Sequence, residues 1–410
     1  MHKKTLWVVI IGLTLLVGLA AKPASSQPKH EAFALREKTI QAAITQNRLF
    51  DCATYSPPTD PVLPKAQLIF QMLQDRKITP DDGREYLGAV WAPDGHALVF
   101  VAPTADYRTI PSGDTLPSDE QTRLVAVSKN ALPLYSLAQD NWQLITADGM
   151  HPTWSLDGQQ IYYMAGTALM KFDLNTKTSI PIGLNAPDTG VGLLLSWPLP
   201  DGRLLTAPRP HTPLEIVGEK ASALRIGIAD GDFAFPSPRG DHVVVAYGSN
   251  TKQGQFTPAL TVLYHPNGEA TPILKNCQFS AMELAWSPDS SRIAYPVHAE
   301  RSEIRIYDVK TGQMQIIVRL AAHDLLSGLS WSPDGRYLAF THGDDRSAPR
   351  SIWIVSTDGS MSQRLVEGGL LPHWSPNGKY ILYARPANDR LLDWYLLEIM
   401  PIQKQEDEDE

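Results

Sequence analysis

Cysteine and basic charge are both scarce in this sequence of 410 residues. Two cysteines cannot by themselves form a four-ligand zinc site, an iron–sulfur cluster or a small disulfide-rich scaffold. The 36 Lys and Arg residues are outnumbered by 44 Asp and Glu, which gives a net charge of −8 and leaves no basic surface for a phosphate backbone. We therefore expect no nucleic-acid partner.

Motifs that carry catalytic chemistry are also missing. The sequence contains no Gly-x-Ser-x-Gly nucleophile elbow, no His-Glu-x-x-His zinc motif, no phosphate-binding glycine loop and no calcium-loop spacing. The nearest match to the elbow begins at Gly328, and we interpret it as a strand that enters a turn. We therefore expect a protein that is not an enzyme and that has no cofactor, no metal ion and no catalytic residue.

The first 26 residues have the three parts of a secretory signal. Lys3 and Lys4 supply positive charge, residues 6–21 are almost wholly apolar, and small residues follow at Ala24 to Ser26. An apolar run of 16 residues is short for a bilayer span, which needs about 20. We predict a cleaved signal peptide over residues 1–26 and a periplasmic or secreted protein, with membrane association only if this segment is retained.

One pentapeptide of the type Trp-Ser-Pro-Asp-Gly recurs along the chain. Its five clear copies place their tryptophan, acid or amide, and glycine at Trp91, Asp94, Gly95, Trp154, Asp157, Gly158, Trp286, Asp289, Trp331, Asp334, Gly335, Trp374, Asn377 and Gly378. Two degraded copies begin at Trp197 and Pro236. The last five spacings average 44 residues, which is typical of a repeat architecture and not of separate domains.

Each copy has the pattern of a strand, a tight turn and a returning strand. Proline presets the turn backbone, the acid bonds to nearby backbone, and glycine takes the left-handed conformation. Apolar pairs after the turn, such as Leu98 and Phe100, predict a strand with one buried face. A third and a weaker fourth strand follow, as at residues 351–356 and 363–366. Seven such groups predict an all-β, seven-bladed β-propeller of four-stranded antiparallel blades.

The repeat signature, Trp-Ser-Pro-Asp-Gly followed after two residues by Ile or Leu, Ala, and Tyr or Phe, resembles the propeller repeat of the TolB family. These are periplasmic proteins of the Tol–Pal envelope system, and similar repeats occur in prolyl oligopeptidase-like and tricorn-like peptidases. The match covers about residues 84–399. The resemblance implies an exported propeller that docks other envelope proteins, often through its channel mouth. Seven copies are present here where TolB has six blades, so we expect a TolB-like relative and not TolB itself.

A propeller ring closes when its last blade is completed from the other end of the chain. The last copy supplies three strands, so we predict that a strand within residues 66–79 completes the seventh blade. Residues 27–65 are then a short N-terminal helical extension with a Pro-rich linker. Residues 66–402 form the propeller, and residues 403–410 form an acidic tail.

Cys52 and Cys277 allow one intramolecular disulfide in an exported protein. Such a bond would draw the N-terminal segment across one face of the propeller and cap its channel. The alternative is a pair of thiols and a helix packed on the outside of the propeller.

Five histidines map to the rim opposite the Trp-containing turns, because they lie where the chain enters the first strand of a blade or leaves the second. They are His151, His298, His323, His342 and His373. These are candidate binding residues, and separate surface or structural histidines are the alternative. A metal site would need three or four of them to converge. We interpret the repeated tryptophans as core residues between blades and not as a sugar-stacking surface.

These observations favour a monomeric, non-enzymatic scaffold of the cell envelope that binds an envelope or extracellular protein at its rim and channel mouth. Two alternatives stay open. One is a metal-dependent lyase or hydrolase that acts on a sugar or peptide at the histidine-bearing rim, and the other is a sensor of a small ligand.

Overall fold

In a computed structural model of the chain, thirty β-strands and one short N-terminal helix account for the regular structure of the described residues. The model describes residues 34–40, 42, 50, 51, 55, 64–103, 130–166, 168–185, 196–206, 213–217, 225–227, 233–250, 256–275, 284–298, 301–322, 324–343, 350–387 and 392–402. The predicted signal peptide, most of the linker and the acidic tail lie outside these residues. The helix, α1, covers residues 34–40.

The strands form seven sheets, and the predicted seven-bladed β-propeller with four-stranded antiparallel blades is confirmed. We number the strands of each blade from first to fourth and call the fourth the outer strand. The molecule divides into two compact units, which contain blades 1 to 4 and blades 5 to 7.

The first unit contains four blades, each an antiparallel sheet. Blade 1 consists of β4 (Gly88–Trp91), β5 (Ala97–Pro103), β6 (Asn130–Ser136) and β7 (Asn141–Thr146), and blade 2 of β8 (Met150–Trp154), β9 (Gln160–Ala165), β10 (Ala168–Asp173) and β11 (Thr178–Asn185). Blade 3 consists of β12 (Ser196–Pro198), β13 (Leu204–Thr206), β14 (Leu214–Val217) and β15 (Arg225–Ile226), and blade 4 of β16 (Phe233–Pro236), β17 (Val243–Asn250), β18 (Phe256–Tyr264) and β19 (Ala270–Lys275).

The second unit contains three blades of the same design. Blade 5 consists of β20 (Ala285–Trp286), β21 (Arg292–His298), β22 (Arg301–Asp308) and β23 (Met314–Ala322), and blade 6 of β24 (Leu325–Trp331), β25 (Tyr337–Gly343), β26 (Ser351–Ser356) and β27 (Met361–Glu367). Blade 7 consists of β28 (Leu370–Trp374), β29 (Tyr380–Pro386), β30 (Leu392–Pro401) and β3 (Phe70–Lys77).

The second strand of a blade is buried on both faces, so the prediction of one buried face was wrong. In β5, Leu98 and Phe100 are buried as the pattern predicts, and the intervening Val99 and Val101 are buried too. Val99 and Val101 belong to a core cluster that includes Ile161 of blade 2, so this face of the sheet packs on the next blade. A sheet covered on both faces has no need of a polar face.

The predicted closing strand is confirmed. β3 pairs antiparallel with β30 and forms the outer strand of blade 7, with Phe70 opposite Pro401 and Lys77 opposite Tyr395. Phe70 is buried among the side chains of blades 6 and 7, and its ring lies 5.4 Å from that of Trp374. Blade 7 therefore takes three strands from the end of the chain and one from its start.

The segment before β3 adds short parallel strands to the outer edges of two blades. β1 (Phe50–Asp51) pairs with β19 of blade 4, and β2 (Lys65–Ala66) pairs with β27 of blade 6. In the first unit, Ile40 of α1 packs against the core shared by blades 3 and 4. The described parts of this segment therefore lie along blade edges and on a core, and a segment drawn across one face by a disulfide stays a prediction.

Tyr55 anchors the same segment to blade 5 through a buried charge cluster. Its hydroxyl donates a hydrogen bond of 2.9 Å to Glu303, and the guanidinium of Arg305 lies 4.5 Å from the Tyr55 ring centre. Glu303 also accepts hydrogen bonds from Arg305 and from Arg319, the latter at 2.6 Å. Burial alone would raise the pKa of Glu303, but the two guanidinium groups outweigh it and leave that pKa lowered. The carboxylate therefore stays ionised where it holds the segment.

Candidate functional site

The repeated tryptophans link neighbouring blades. Trp154 donates its indole N–H to the carbonyl of Val90 in the preceding blade at 3.1 Å. Trp331 makes the equivalent bond to Ala285 at 3.0 Å. Both side chains are buried, and the carbonyl in each case belongs to the residue that precedes the tryptophan of the earlier repeat. In these two copies the tryptophan therefore joins one blade to the next, whereas Trp374 donates to the carbonyl of Gly378 in its own turn at 3.5 Å.

The Ser and Asp positions of the repeat build the turn itself. Ser287 donates to Asp289 at 2.6 Å and accepts a hydrogen bond from the backbone N–H of Arg292 at 2.8 Å. Asp289 in turn accepts from the backbone N–H of Ser291 at 3.1 Å. Desolvation would raise the pKa of Asp289, but these hydrogen bonds lower it to about 2. The acid is a structural acceptor and not a proton donor at neutral pH.

The histidines of the predicted rim have different surroundings. His151 lies in β8 at a φ of 51°, half-buried, and burial lowers its pKa. His373 lies in β28 with its ring 6.1 Å from that of Trp394. Water reaches the His373 ring, yet protein crowds it closely enough that desolvation lowers its pKa to about 4. Both imidazoles are therefore neutral at pH 7.

Of the other three rim histidines, the structure describes the side chain of His342 alone. His342 is buried in β25, and its Nε2 lies 3.3 Å from Oδ2 of Asp324. His298 ends β21 with its side chain outside the described residues, and His323 lies outside them altogether. Among the residues that the structure describes, no group of three or more His, Cys, Asp or Glu side chains is placed to hold a metal ion.

Both cysteines lie outside the described residues, but the strands that lead to them are paired. Asp51 of β1 lies opposite Lys275 of β19 in a parallel register, with 3.8 Å between the Lys275 ammonium and the Asp51 carboxylate. Cys52 follows Asp51 by one residue and Cys277 follows Lys275 by two. The disulfide stays a prediction.

The most unusual surface lies on β30 and β3, the third and fourth strands of blade 7. No motif in the sequence predicted it. Ten large apolar side chains are exposed in the described part of the chain, and five of them lie in or beside these strands. The five are Leu68, Met72, Leu73, Met400 and Ile402. Soluble domains seldom concentrate exposed apolar side chains in this way without a binding role.

An open cavity of about 360 Å³ adjoins this surface, between blades 6 and 7. Its apolar wall consists of Met72, Leu73, Leu365, Val366 and Leu397, and its polar wall of Gln74, Asp75, Glu367 and Arg385. We call the cavity and the free edge of β3 together the closing-blade groove. A pocket of this size with a few convergent polar groups is suited to one or two bound side chains.

The polar wall is held rigidly by one carboxylate. The Tyr383 hydroxyl lies 2.8 Å from each carboxylate oxygen of Asp75, to which it donates a hydrogen bond. Asp75 also forms an ion pair with Arg385, in which Oδ2 lies 3.1 Å from Nη2. The Arg385 guanidinium lies 4.6 Å from the Tyr395 ring centre, and the two tyrosine rings stack at 5.5 Å. Burial and the hydrogen bond to Asp75 raise the pKa of Tyr383, so its hydroxyl remains a donor.

Gln363 fixes the position of β3 relative to β27. Its side-chain oxygen accepts from the backbone N–H groups of Ile69 and Phe70, both at 2.7 Å, and its amide donates to the Phe70 carbonyl at 2.8 Å. One buried side chain thus satisfies three backbone groups where the chain crosses from blade 6 to blade 7. The groove is therefore bounded by well-held strands on both sides.

A sequence signal for the groove existed but was not decisive. The closing strand carries Phe70, Met72 and Leu73, so apolar side chains occur on both of its faces. In an interior strand this pattern predicts burial, and only the position of β3 at the edge of blade 7 makes Met72 and Leu73 exposed.

Comparisons with known proteins agree on the fold alone. No protein-family model and no curated protein matches the sequence. A solved oligogalacturonate lyase in complex with manganese is similar over 84% of this chain and 99% of its own, with 14% identity and a TM-score of 0.54. The oligogalacturonate lyase of Vibrio parahaemolyticus is similar over 83% and 98%, with 14% identity and a TM-score of 0.52.

TolB from Acinetobacter baumannii is similar over 66% of this chain and 61% of its own, with 15% identity and a TM-score of 0.39. At 14% identity, the two oligogalacturonate lyases show a shared propeller fold and nothing of the function. No described helix combines the length and the hydropathy that a membrane span requires.

Proposed function

We propose that this protein is an exported, non-enzymatic scaffold that binds another protein of the envelope or extracellular space through the closing-blade groove. The observation that carries the proposal is the concentration of exposed apolar side chains in or beside β3 and β30 of blade 7. They are Leu68, Met72, Leu73, Met400 and Ile402. An exposed apolar surface costs solubility unless a partner covers it. Export follows from the three-part pattern of residues 1–26.

The groove supports protein binding better than small-molecule chemistry. One of its two carboxylates, Asp75, is already engaged by Tyr383 and Arg385. The neighbouring Met72 and Leu73 offer apolar contact area at an open edge. Apolar anchors surrounded by a few fixed polar groups are typical of protein interfaces. The rim histidines and the channel mouth stay predictions beside this surface.

The test is site-specific cross-linking in cells that make the protein. A photoreactive amino acid replaces Met72 in one variant and Ile180 in the other. The two side chains are matched, because both lie in outer strands and are 51% and 50% exposed. We expect one defined protein adduct from position 72, with the partner identified by mass spectrometry and rebound in purified form. An equal yield of the same adducts at both positions contradicts the proposal.

The second candidate is a metal-dependent propeller enzyme, a lyase or hydrolase. It is favoured by the two oligogalacturonate lyases of TM-score above 0.5, one of them a manganese complex, although their identity to this chain is 14%. Metal analysis of the purified protein tests this candidate. A stoichiometric transition metal that is lost in a His373→Ala variant supports the enzyme and counts against the scaffold.

A further inference from the structure

We propose that Asn267 is a site of spontaneous covalent modification, at which the side-chain amide is lost and an aspartate or isoaspartate forms. The reaction is easiest where glycine follows the asparagine, because glycine has no side chain to obstruct its backbone nitrogen. Asn-Gly occurs twice in the sequence, at residues 267–268 and 377–378. The surroundings of the two pairs differ and select the first. This inference goes beyond the proposed binding function and does not depend on it.

The reaction is a ring closure between neighbours in the chain. The backbone nitrogen of Gly268 attacks Cγ of Asn267, so an N–Cγ bond forms and the Cγ–Nδ2 bond breaks. Ammonia leaves with the proton of the Gly268 N–H, and a cyclic imide remains. Water then opens either carbonyl of the imide, which gives aspartate or isoaspartate. Because the reacting atoms belong to adjacent residues, the closure needs no enzyme or cofactor.

The backbone holds the asparagine in the same way in both turns. Between β18 and β19, Oδ1 of Asn267 accepts from the N–H of Glu269 at 3.0 Å, and the Gly268 N–H donates to the His265 carbonyl at 2.9 Å. The turn between β28 and β29 has the same two bonds at the same lengths around the second pair. Ring closure breaks both, because the amide has to turn towards the glycine nitrogen and that nitrogen loses its proton.

The second turn carries a serine where the first carries a histidine. The Ser375 hydroxyl donates to Oδ1 of Asn377 at 2.8 Å. His265 takes the equivalent place before Asn267, and its Nε2 instead lies 2.9 Å from the Thr271 hydroxyl. Closure at Asn377 therefore breaks an additional hydrogen bond, and such a bond contributes about 1 kcal/mol.

Packing also holds the second turn more tightly. A methyl group at Gly378 would lie 3.3 Å from the side chain of Pro333, which belongs to the neighbouring turn of blade 6. Among the described residues, nothing lies within 4 Å of the same position at Gly268. Asn267 and Gly268 are exposed, whereas Asn377 and Gly378 are half-buried. The first turn therefore makes the rearrangement that ring closure requires more easily.

The two products change blade 4 differently. Aspartate fits the turn, since in the corresponding turn of blade 6 Asp358 accepts from the backbone N–H of Ser360 at 3.0 Å. Isoaspartate adds a methylene group to the main chain of the tight turn that sets Tyr264 opposite Ala270. The other edge of β19 carries β1 of the N-terminal segment. Isoaspartate at position 267 therefore weakens the outer strand to which that segment adds.

The test incubates the purified full chain at pH 8 in water enriched in oxygen-18, followed by peptide mass spectrometry. Opening of the imide by water adds a labelled oxygen, so the label marks modification during the incubation. We expect conversion at Asn267 to be about tenfold faster than at Asn377, which corresponds to a difference in barrier of about 1.4 kcal/mol. Methylation by a protein isoaspartate methyltransferase measures the isoaspartate share. Equal rates at the two positions, or no label at Asn267, overturn the inference.

Matched variants test the cause and the consequence. His265→Ser makes residues 265–268 identical to residues 375–378 and should slow conversion at Asn267 several-fold, whereas His265→Ala should not. Thermal unfolding checks that both fold. If serine and alanine change the rate equally, the serine hydroxyl does not protect Asn377 and the assigned cause is wrong. After incubation, amide hydrogen exchange in β19 should be faster in wild type than in Asn267→Gln, and equal exchange contradicts the predicted weakening.

Discussion

At the scale of single residues, the repeat is a hydrogen-bonded turn in which each position has one task. Serine joins the acid to the returning strand, and the acid accepts from the backbone two residues on, as Ser332, Asp334 and Arg336 show. Where the fourth copy lacks an acid at its usual place, Ser237 bonds instead to Asp241 at 2.7 Å. This turn therefore tolerates a displaced carboxylate that stays within reach of its serine.

Low pH should reduce the stability of the fold, partly because it protonates carboxylates that accept hydrogen bonds in turns. The folded-state pKa of Asp289 and of Asp358 is about 2, below the ordinary value of 3.8. A depressed folded pKa adds stability above the unfolded pKa, and that stability is lost as pH falls from about 4 towards about 2. We expect the free energy of unfolding, measured with urea, to fall less between pH 5 and pH 2.5 in Asp289→Asn than in wild type.

Asn377 supports the choice of that substitution, because the amide occupies the same slot and accepts from Ser375 at 2.8 Å. The asparagine variant should therefore fold normally at pH 7. An Asp289→Asn protein whose stability falls with pH as steeply as wild type would show that this carboxylate does not contribute.

Gly335 is needed for two separate reasons. Its φ is 67°, and a methyl group placed there would approach Nη2 of Arg292 to 2.8 Å. Arg292 donates to the Gly335 carbonyl at 2.7 Å and lies 4.7 Å from the Trp331 ring centre, which links blade 5 to blade 6. Gly368 has a φ of 76° but nothing within 4 Å of the added methyl.

We therefore expect Gly368→Ala to cost about 1–2 kcal/mol, from the left-handed backbone alone. Gly335→Ala should cost about 1 kcal/mol more, because the arginine hydrogen bond is lost as well. Denaturant unfolding of the two variants measures the difference. Equal costs would mean that the Arg292 contact adds no stability.

At the scale of elements, the ends of the chain do different work. β3 closes blade 7 and buries Phe70, whereas α1, β1 and Tyr55 lie against blades that are already complete. A chain that begins at residue 80 loses β3, and we expect it to lose cooperative unfolding. A chain that begins at residue 64 keeps β2 and β3 and should fold with reduced stability.

Circular dichroism and thermal unfolding distinguish these two truncations. The physical reason is the area involved, since the shorter chain exposes the core partners of Ile69 and Phe70, including Trp374 and Ile399. A stable, cooperatively folded chain without β3 would contradict the role assigned to it.

The parallel pairing of β1 with β19 supports the Cys52–Cys277 disulfide as a proposal. Parallel neighbours lie about 4.8 Å apart, and a disulfide spans Cα atoms about 4.4–6.8 Å apart. Because Asp51 lies opposite Lys275, the two cysteines follow paired residues at offsets of one and two. We expect no reactive thiol in the denatured protein until a reductant is added. Two thiols without reductant would exclude the bond.

The sequence predicted the elements better than it predicted their surroundings. The closing strand followed from counting, because the last repeat supplied three strands and a propeller blade needs four. The burial of Val99 beside Leu98 and Phe100 did not follow, since alternation on one strand says nothing about a second packed sheet. The sequence also did not predict the pairing of β1 and β2 with blade edges, because strands of two residues leave no periodic pattern in the sequence.

At the scale of the whole molecule, the repeat specifies the architecture and does not specify the function. The seven blades share their turns and core, so the parts that differ between blades are where specificity resides. Histidine placement pointed the sequence analysis to the rim. Of these histidines, His342 lies beside Asp324 and His373 beside Trp394, and the rim site stays a prediction. Exposure of Met72 and Leu73 depends on tertiary position, which no single-sequence pattern reports.

Binding of a protein partner at blade 7 is tested most directly by the affinity of the cross-linked partner for purified variants. By isothermal titration, the double variant Met72→Asp with Leu73→Asp should bind at least tenfold more weakly than wild type, which is about 1.4 kcal/mol. Ile180→Asp, of matched exposure, should bind within about twofold of wild type, because a rim charge alone has a small effect. Equal affinities for the double variant and the wild-type chain would contradict the account.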